Sequence, residues 1–428
     1  MTRPLSAIGR VAAGTFASLR TRNYRLYFIG QVVSVSGSWM QRVAQAWLVV
    51  HLSGGGIALG LVAALQFLPM LLVGAWGGLV ADRVDKRRLL MITQPLMGGL
   101  ALVLGMLTLT GAVRLWMVYV LALLLGAVTA IDNPGRQSFV MEMVGRKQVA
   151  NAVSLNSAVF TSARVVGPAV AGVLIILVGT GWCFLINAAS FVAVLLALAA
   201  MDPSQLQRSE GPPRARGQLV EGLRFVWSRP DLRVPMAVLA LVGALALNFS
   251  VTLPLLAHDT FRGDAGTLGI LFSSLGAGSL AGALFTASRR EPSVRLMQGG
   301  LLLFGVFMLA AAAAPTLLLE IASLILMGMA ALAFQTTTNA LVQLRSEPAL
   351  RGRVMAIYMV VFVGTTPFGA PVVGWVVEHF GARAGMGLGG AAVLVAALAL
   401  WLARRRRVFE ARAQARTVTL DTADPAQP

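Results

Sequence analysis

Cut at its ionisable residues, this sequence falls into twelve apolar intervals, each long enough to cross about 30 Å of hydrocarbon at roughly 20 residues a crossing. They run over 24–50, 57–81, 89–111, 115–134, 153–178, 181–201, 234–258, 266–288, 296–314, 316–343, 354–377 and 384–403. A water-soluble core could not bury so much apolar surface. Of the 428 residues 57% are hydrophobic and only 12% charged, and the mean hydropathy is +0.77. The pattern predicts an all-α integral membrane protein. A β-barrel is excluded because barrel strands are shorter and alternate apolar with polar residues. Glycine-bearing breaks such as "HLSGGG" (51–56) and "GTGW" (179–182) end one span before the next begins.

Charge asymmetry sets the expected orientation. With both termini on the cytoplasmic side, thirty of the 35 Lys and Arg fall on inside segments, and the outside loops hold only Arg114, Arg262 and Arg383. The remaining two, Arg42 and Arg164, lie within spans. Topology and contact with anionic lipid headgroups then account for the net charge of +18, and nucleic-acid binding is not expected. The first twenty residues are basic and only mildly apolar, so no signal peptide is expected. The one cysteine, Cys183, cannot form an internal disulfide and reads as a small buried apolar residue.

The longest polar break contains "EGPPRARG" and divides six spans from six. The expected organisation is an amino-terminal tail (1–23), a first six-helix bundle (24–201), a cytoplasmic linker (202–232), a second bundle (233–403) and a basic tail (404–428). In the linker, Leu219, Leu223, Val226 and Trp227 recur at helical spacing opposite Glu221, Arg224 and Arg229, which predicts an amphipathic helix on the inner membrane surface. Ile8, Val11, Phe16 and Leu19 suggest a similar stretch at the amino terminus.

Internal offsets support a duplication. Gly78 in "GGLVADRVDKRR" has a counterpart 204 residues later in Gly282 of "AGALFTASRRE", and Pro168 of "GPAVAGV" one 203 residues later in Pro371 of "APVVGWV". Two pseudo-symmetric halves of this kind place a substrate path between them.

The loop after the second span packs six charges into residues 82–88. Gly78 lets helices approach closely, Asp82 opens the loop, and Arg83, Arg87 and Arg88 can pair with it or cap helix carboxyl ends. Such a cluster can lock one conformation and release it when the helices part. The pattern resembles the loop signature of the major facilitator superfamily (Gly, three residues, Asp, Arg, any, Gly, any, basic, basic), with Asp85 in place of the second glycine. The stretches 23–49, 59–90, 132–174 and 350–369 are similar to the branch that includes the enterobactin exporter and macrolide efflux proteins. The resemblance implies a monomeric secondary transporter alternating between inward-open and outward-open states. It also implies a cavity lined mainly by spans 1, 4, 7 and 10, and drive from the proton gradient. The sequence departs from that family at Thr286, where the second half lacks the aspartate, in the fourth span, whose residues 115–131 carry no arginine, and at Ala171, where a second glycine is common.

Polar side chains inside spans are expensive unless paired or facing a cavity; an arginine at mid-helix costs about 2.5 to 3.5 kcal/mol on insertion scales. Gln41, Arg42 and Gln45 form a polar strip on the first span, read either as a cavity wall for anionic or hydrogen-bonding substrates or as an arginine snorkelling outward. Gln66, Asn248, Gln335 and Asn339 are candidates for cavity lining or for interhelical hydrogen bonds. Asp132, read as ending the fourth span, can neutralise Arg136 or Arg164 as a gate pair or act as a proton-carrying carboxylate. Gly167, Pro168, Gly172 and Pro371 are expected to bend their helices. Glu320, His51, His258 and His379 fall near the outer boundary without ligand spacing, so no metal is expected, and no cofactor either. Lys86 and Lys147 follow Asp and Arg, so no Gly-Lys phosphate loop exists, and neither a zinc-protease helix motif nor a GxSxG elbow is present. The reading is an efflux permease for a small amphipathic compound such as a drug, siderophore or metabolite, in a bacterial inner membrane. The alternative is a non-transporting sensor or lipid-handling protein on the same fold.

Overall fold

A computed structural model describes residues 15–207, 218–289, 291–348 and 350–421, with side chains described in these ranges except at 75–82, 218–220 and 406–421. Among the described residues the chain forms twelve long membrane-crossing rods, in two bundles of six. The first bundle comprises α1 (Arg22–Ser53), α2 (Gly56–Arg83), α3 (Lys86–Leu109), α4 (Leu115–Val144), α5 (Val149–Val178) and α6 (Thr180–Ala199). The second comprises α7 (Pro230–Thr260), α8 (Ala265–Ala287), α9 (Val294–Ala313), α10 (Leu317–Arg345), α11 (Arg351–Phe380) and α12 (Ala382–Asp421). Eleven satisfy length and hydropathy for a crossing; α1, at 32 residues, is long enough but diluted by its serines, glutamines and Arg42. Helices are the form in which a chain in lipid satisfies its own backbone groups. Large apolar side chains such as Leu177, Leu196 and Leu318 stand exposed on the rods, as a hydrocarbon surround requires.

Two boundaries differ from the sequence reading for a physical reason. Helix α4 does not end at Asp132 but runs on to Val144, because the buried carboxylate is neutralised where it lies and the helix need not stop for it. Helix α12 continues past the expected end at 403 to Asp421. Two rods are interrupted. In α7 the helix breaks after Leu245, resumes at Phe249 and finishes in a π-turn over Leu256–Thr260; in α11 it breaks between Gly364 and Thr366.

The face at which α1 begins is termed the terminal face, and the opposite one the distal face. The linker helix, Gln218–Ser228, rests against α11, where Glu221 pairs with Arg353 at 2.5 Å and Gly222 meets the Arg353 stem. Val226 is buried while Leu223 and Trp227 are exposed, the expected split for a helix in a membrane interface; Leu219 lies outside the described side chains. Of the amino-terminal apolar positions, Phe16 is exposed and Leu19 packs on the first bundle's core, whereas Ile8 and Val11 lie outside the described residues. Cys183 is wholly buried in α6.

The halves meet through two equivalent helix pairs, α2 with α11 and α5 with α8. A Cβ on Gly60 would lie 2.5 Å from the Ala370 carbonyl oxygen, and one on Gly269 would lie 2.7 Å from that of Pro168. Pro168 and Pro371, the two positions 203 residues apart, therefore sit at the same place in the two interfaces, each against a glycine of the other half's counterpart helix. Gly172 meets Gly269 and Ala265 across the second interface.

Candidate functional site

Glycine at 167 allows α5 to press on α1, where a Cβ would lie 2.6 Å from the Cβ of Trp39. On the other side of α5, Gly276 of α8 would place a Cβ 2.5 Å from the Arg164 carbonyl oxygen. These contacts hold Arg164 at the middle of the molecule, facing the indole of Trp39. Arg42 lies three residues after Trp39 on α1, which puts the two side chains on one helix face. The guanidinium carbons of Arg42 and Arg164 stand 4.5 and 5.3 Å from the centroid of the same Trp39 ring. They are thus less than 10 Å apart. Neither has a hydrogen-bond or ion-pair partner among the described residues. Two unit cations at that distance repel by roughly 2 kcal/mol at an effective dielectric of about 20.

Both arginines line a cavity of about 250 Å³ between the halves. The first half contributes Trp39, Arg42, Gln45, Gln66, Phe67 and Arg164, with aliphatic residues of α1 and α2. The second contributes Leu247, Phe249, Ser250, Phe272, Phe362 and Thr366, and no Asp or Glu is among the lining residues. The break in α7 brings Leu247 and Phe249 to the wall, and the break in α11 brings Phe362 and Thr366. A smaller chamber of about 160 Å³ shares Arg164, Phe249 and Phe362 and reaches Ser279 and Gln335.

The polar residues anticipated in the spans divide into three groups. Arg42, Gln45 and Gln66 line the cavity, and Gln335 the adjoining chamber. Gln41 instead accepts a 2.5 Å hydrogen bond from Asn187 and ties α1 to α6. Asn248 donates to the Ala244 carbonyl at 2.6 Å across the break in α7, and its side-chain oxygen is buried without a partner. Asn339, four residues after Gln335, lies beside Tyr358, whose hydroxyl donates to the Gln335 carbonyl at 3.4 Å. Arg164, grouped with Asp132 in the sequence reading, does not join it: Asp132 is fully buried and ion-paired to Arg136. Thr93 and Gln94 of α3 donate to the other carboxylate oxygen at 2.6 and 2.8 Å, and Arg136 reaches Gln31 of α1 at 3.0 Å. This network cross-links α1, α3 and α4 near the terminal face, and a pair so fully bonded is destabilised strongly by loss of one member.

In the charged loop, Gly78 and Asp82 lie among the residues whose side chains are not described. Asp85, which stands where the family signature has glycine, caps the start of α3 by accepting from the Arg88 backbone N–H at 3.1 Å. Arg87 donates to the Leu198 and Ala199 carbonyls at the end of α6, at 2.8 and 3.3 Å, and Lys86 pairs with Glu142 at 3.1 Å. Arg83 and the Arg88 side chain are exposed. Gly282, the second-half counterpart of Gly78, lets α8 approach the Met329 carbonyl of α10.

Across the halves, the bonds lie at cavity level and beyond it toward the distal face. Ser273 donates to the Val165 carbonyl at 2.8 Å, and Glu378 of α11 accepts from the Ile57 backbone N–H at 2.8 Å. His258 stacks edge-on to Trp47 and His51 with centroids 5.9 and 6.1 Å away. On the terminal side, no hydrogen bond or ion pair joins the halves among the described residues. The described contacts between the halves therefore gather from cavity level to the distal face.

Trp39 and the phenylalanines of the wall escaped the sequence reading, since an aromatic residue in an apolar span looks like core. The available signal was the i,i+3 spacing of Trp39 and Arg42.

A model of the transmembrane secretion effector family matches residues 13–424. Among characterised proteins, the chain is 28% identical over 399 residues to the multidrug efflux pump Tap of Mycolicibacterium fortuitum, covering 90% of this chain and 96% of that protein. It is 25% identical to the staphyloferrin A transporter of Staphylococcus aureus (83% and 90% covered) and 24% identical to the enterobactin exporter EntS of Shigella boydii (82% and 84%). Among solved structures, a bacterial homologue of the human lysosomal transporter Spinster superposes with a TM-score of 0.73 over 90% of this chain and 97% of that one, at 14% identity. The nucleoside transporter NupG gives 0.71 at 15% identity, over 90% and 98%. Both share the major facilitator fold with this chain.

Proposed function

The chain belongs to the transmembrane secretion effector family, and we propose that it is a proton-driven secondary transporter that exports small amphipathic organic compounds across a bacterial cytoplasmic membrane. The observation that carries this reading is the chamber between the halves, with the glycine-mediated contacts that join the halves lying on its distal side. The distribution of Lys and Arg supports a cytoplasmic terminal face, and with the inter-half contacts gathered on the distal side it supports reading the structure as an inward-open state that loads from the cytoplasm. Rocking of α2 and α8 against α11 and α5 would then open the distal side. The relatives' names, a staphyloferrin A transporter, a multidrug efflux pump and an enterobactin exporter, support transport of small organic compounds, and the last two support efflux.

The test is uptake by inside-out vesicles across a compound panel after an imposed pH step. Accumulation of at least one compound above vesicles lacking the protein, abolished by a protonophore, is the expected result. Flux equal to protein-free vesicles for every compound, with the protein folded, would overturn transport. Accumulation that ignores the protonophore would overturn the proton drive.

A further inference from the structure

Two unpaired cations inside a membrane span are costly, and here they share one aromatic ring and one cavity. Structural arginines in this protein look different: Arg136 has Asp132 and Gln31, Arg87 has the end of α6, and Arg353 has Glu221. Among the described residues Arg42 and Arg164 have only the indole, which orients guanidiniums but does not neutralise them. A helix arginine seeking the headgroups would point out of the bundle, whereas both of these line the chamber. The opposite wall carries Phe249, Phe272 and Phe362 with only the hydroxyls of Ser250 and Thr366 as polar side-chain groups, and no charge. The missing partner is thus a negative charge attached to an apolar body.

We propose that the chamber is a binding site for organic anions, in which Arg42 and Arg164 take a carboxylate or similar oxyanion beside Trp39 and the second half takes the apolar body. Planar forks suit an oxyanion, which can accept two parallel N–H bonds from each. This names the substrate class for the transport reading above and rests on that reading for the ligand's fate, not for its binding. The shared chemistry, an anionic head on an apolar body, also belongs to acidic lipids, and the test separates the two sources.

The experiment is equilibrium dialysis of the purified full chain in detergent against naphthalene-2-carboxylate, naphthalene-2-carboxamide and naphthalen-2-ylmethylammonium, which share a ring system and differ in charge. The carboxylate should bind about tenfold or more tighter than the carboxamide, with the ammonium weakest. Arg42→Gln and Arg164→Gln should each weaken the carboxylate about tenfold and leave the carboxamide unchanged, and Arg164→Lys should fall between. Raising salt on the unaltered protein should weaken the carboxylate alone, a readout that needs no variant to fold. Equal affinity for the three probes, or carboxylate binding indifferent to salt and to both glutamine variants, would overturn the site. Displacement of the carboxylate by lysophosphatidylglycerol and not by lysophosphatidylcholine would support the anion site and assign it to an acidic lipid. Displacement by neither would support it and assign it to a soluble anion, and equal displacement by both would overturn it. Anion binding without flux in the vesicle assay sinks the transport reading and keeps the site; flux of neutral compounds with no charge preference does the reverse.

Discussion

Positions 132 and 136 of α4 correspond to positions 335 and 339 of α10 by the same offset of 203 residues that relates Pro168 to Pro371. In the first half they are Asp132 and Arg136, buried, paired and tied to Gln31, Thr93 and Gln94. In the second they are Gln335 and Asn339, neutral, beside the adjoining chamber and Tyr358. The cavity repeats the contrast: both of its cations and Trp39 come from the first half, while Leu247, Phe249, Phe272 and Phe362 come from the second. A duplicated backbone has thus been given unequal chemistry, with charge on one side of the chamber and an uncharged, aromatic-rich surface on the other.

The sharpest test of that inequality is Asp132→Ala against Gln335→Ala. Removing Asp132 strands a buried arginine and should cost about 3 to 5 kcal/mol, whereas Gln335 should cost about 1 kcal/mol or less. Thermal unfolding in detergent reads the difference, and similar shifts in Tm would erase the contrast. Next come Gly60→Val and Gly269→Val, which force a side chain against backbone in the two equivalent interfaces. Each should destabilise the distally closed arrangement by about 1 to 3 kcal/mol. Distances between spin labels on α2 and α11, and on α5 and α8, should lengthen at the distal face by matching amounts; a response from one interface only would mean the halves do not rock symmetrically.

The smallest effects concern the helix starts at the distal face. Helix α2 is capped from the other half by Glu378, while α8 is capped by its own Asp264, which accepts from the Thr267 backbone N–H at 2.9 Å. Glu378→Ala should shift the conformational balance by about 1 kcal/mol, visible in the same spin-label distances, because the bond joins the halves. Asp264→Ala should lower Tm by an amount equivalent to about 1 kcal/mol and leave those distances alone. The Thr267 backbone N–H holds the Asp264 carboxyl below its ordinary value of 3.8. Its contribution is therefore complete above that value and lost only as pH falls through the depressed one, so the Asp264→Ala difference should stay constant between about pH 5 and 8.

Much of this was legible beforehand. Apolar run length places all twelve rods, because hydrocarbon thickness leaves a helix little choice, and the offset between Pro168 and Pro371 reveals the duplication. Chemistry within spans was harder. The sequence reading ended the fourth span at 134, with Asp132 at its close, since sequence does not show that Arg136 neutralises that carboxylate one turn later. Arg42 and Arg164 stood out as charges in apolar runs, but their meeting over Trp39 depends on Gly167 letting α5 against α1, a contact between residues 128 apart. The distal bond between the halves was invisible for the same reason: Ile57 and Glu378 are 321 residues apart and meet only in the folded bundle.

The burial of Cys183 in α6 has a practical side. A chain whose sole thiol is out of reach of reagents needs no prior cysteine removal, so maleimide dyes or nitroxides can be attached in pairs to otherwise native protein. The opening and closing of the chamber can then be timed on molecules that keep their natural packing.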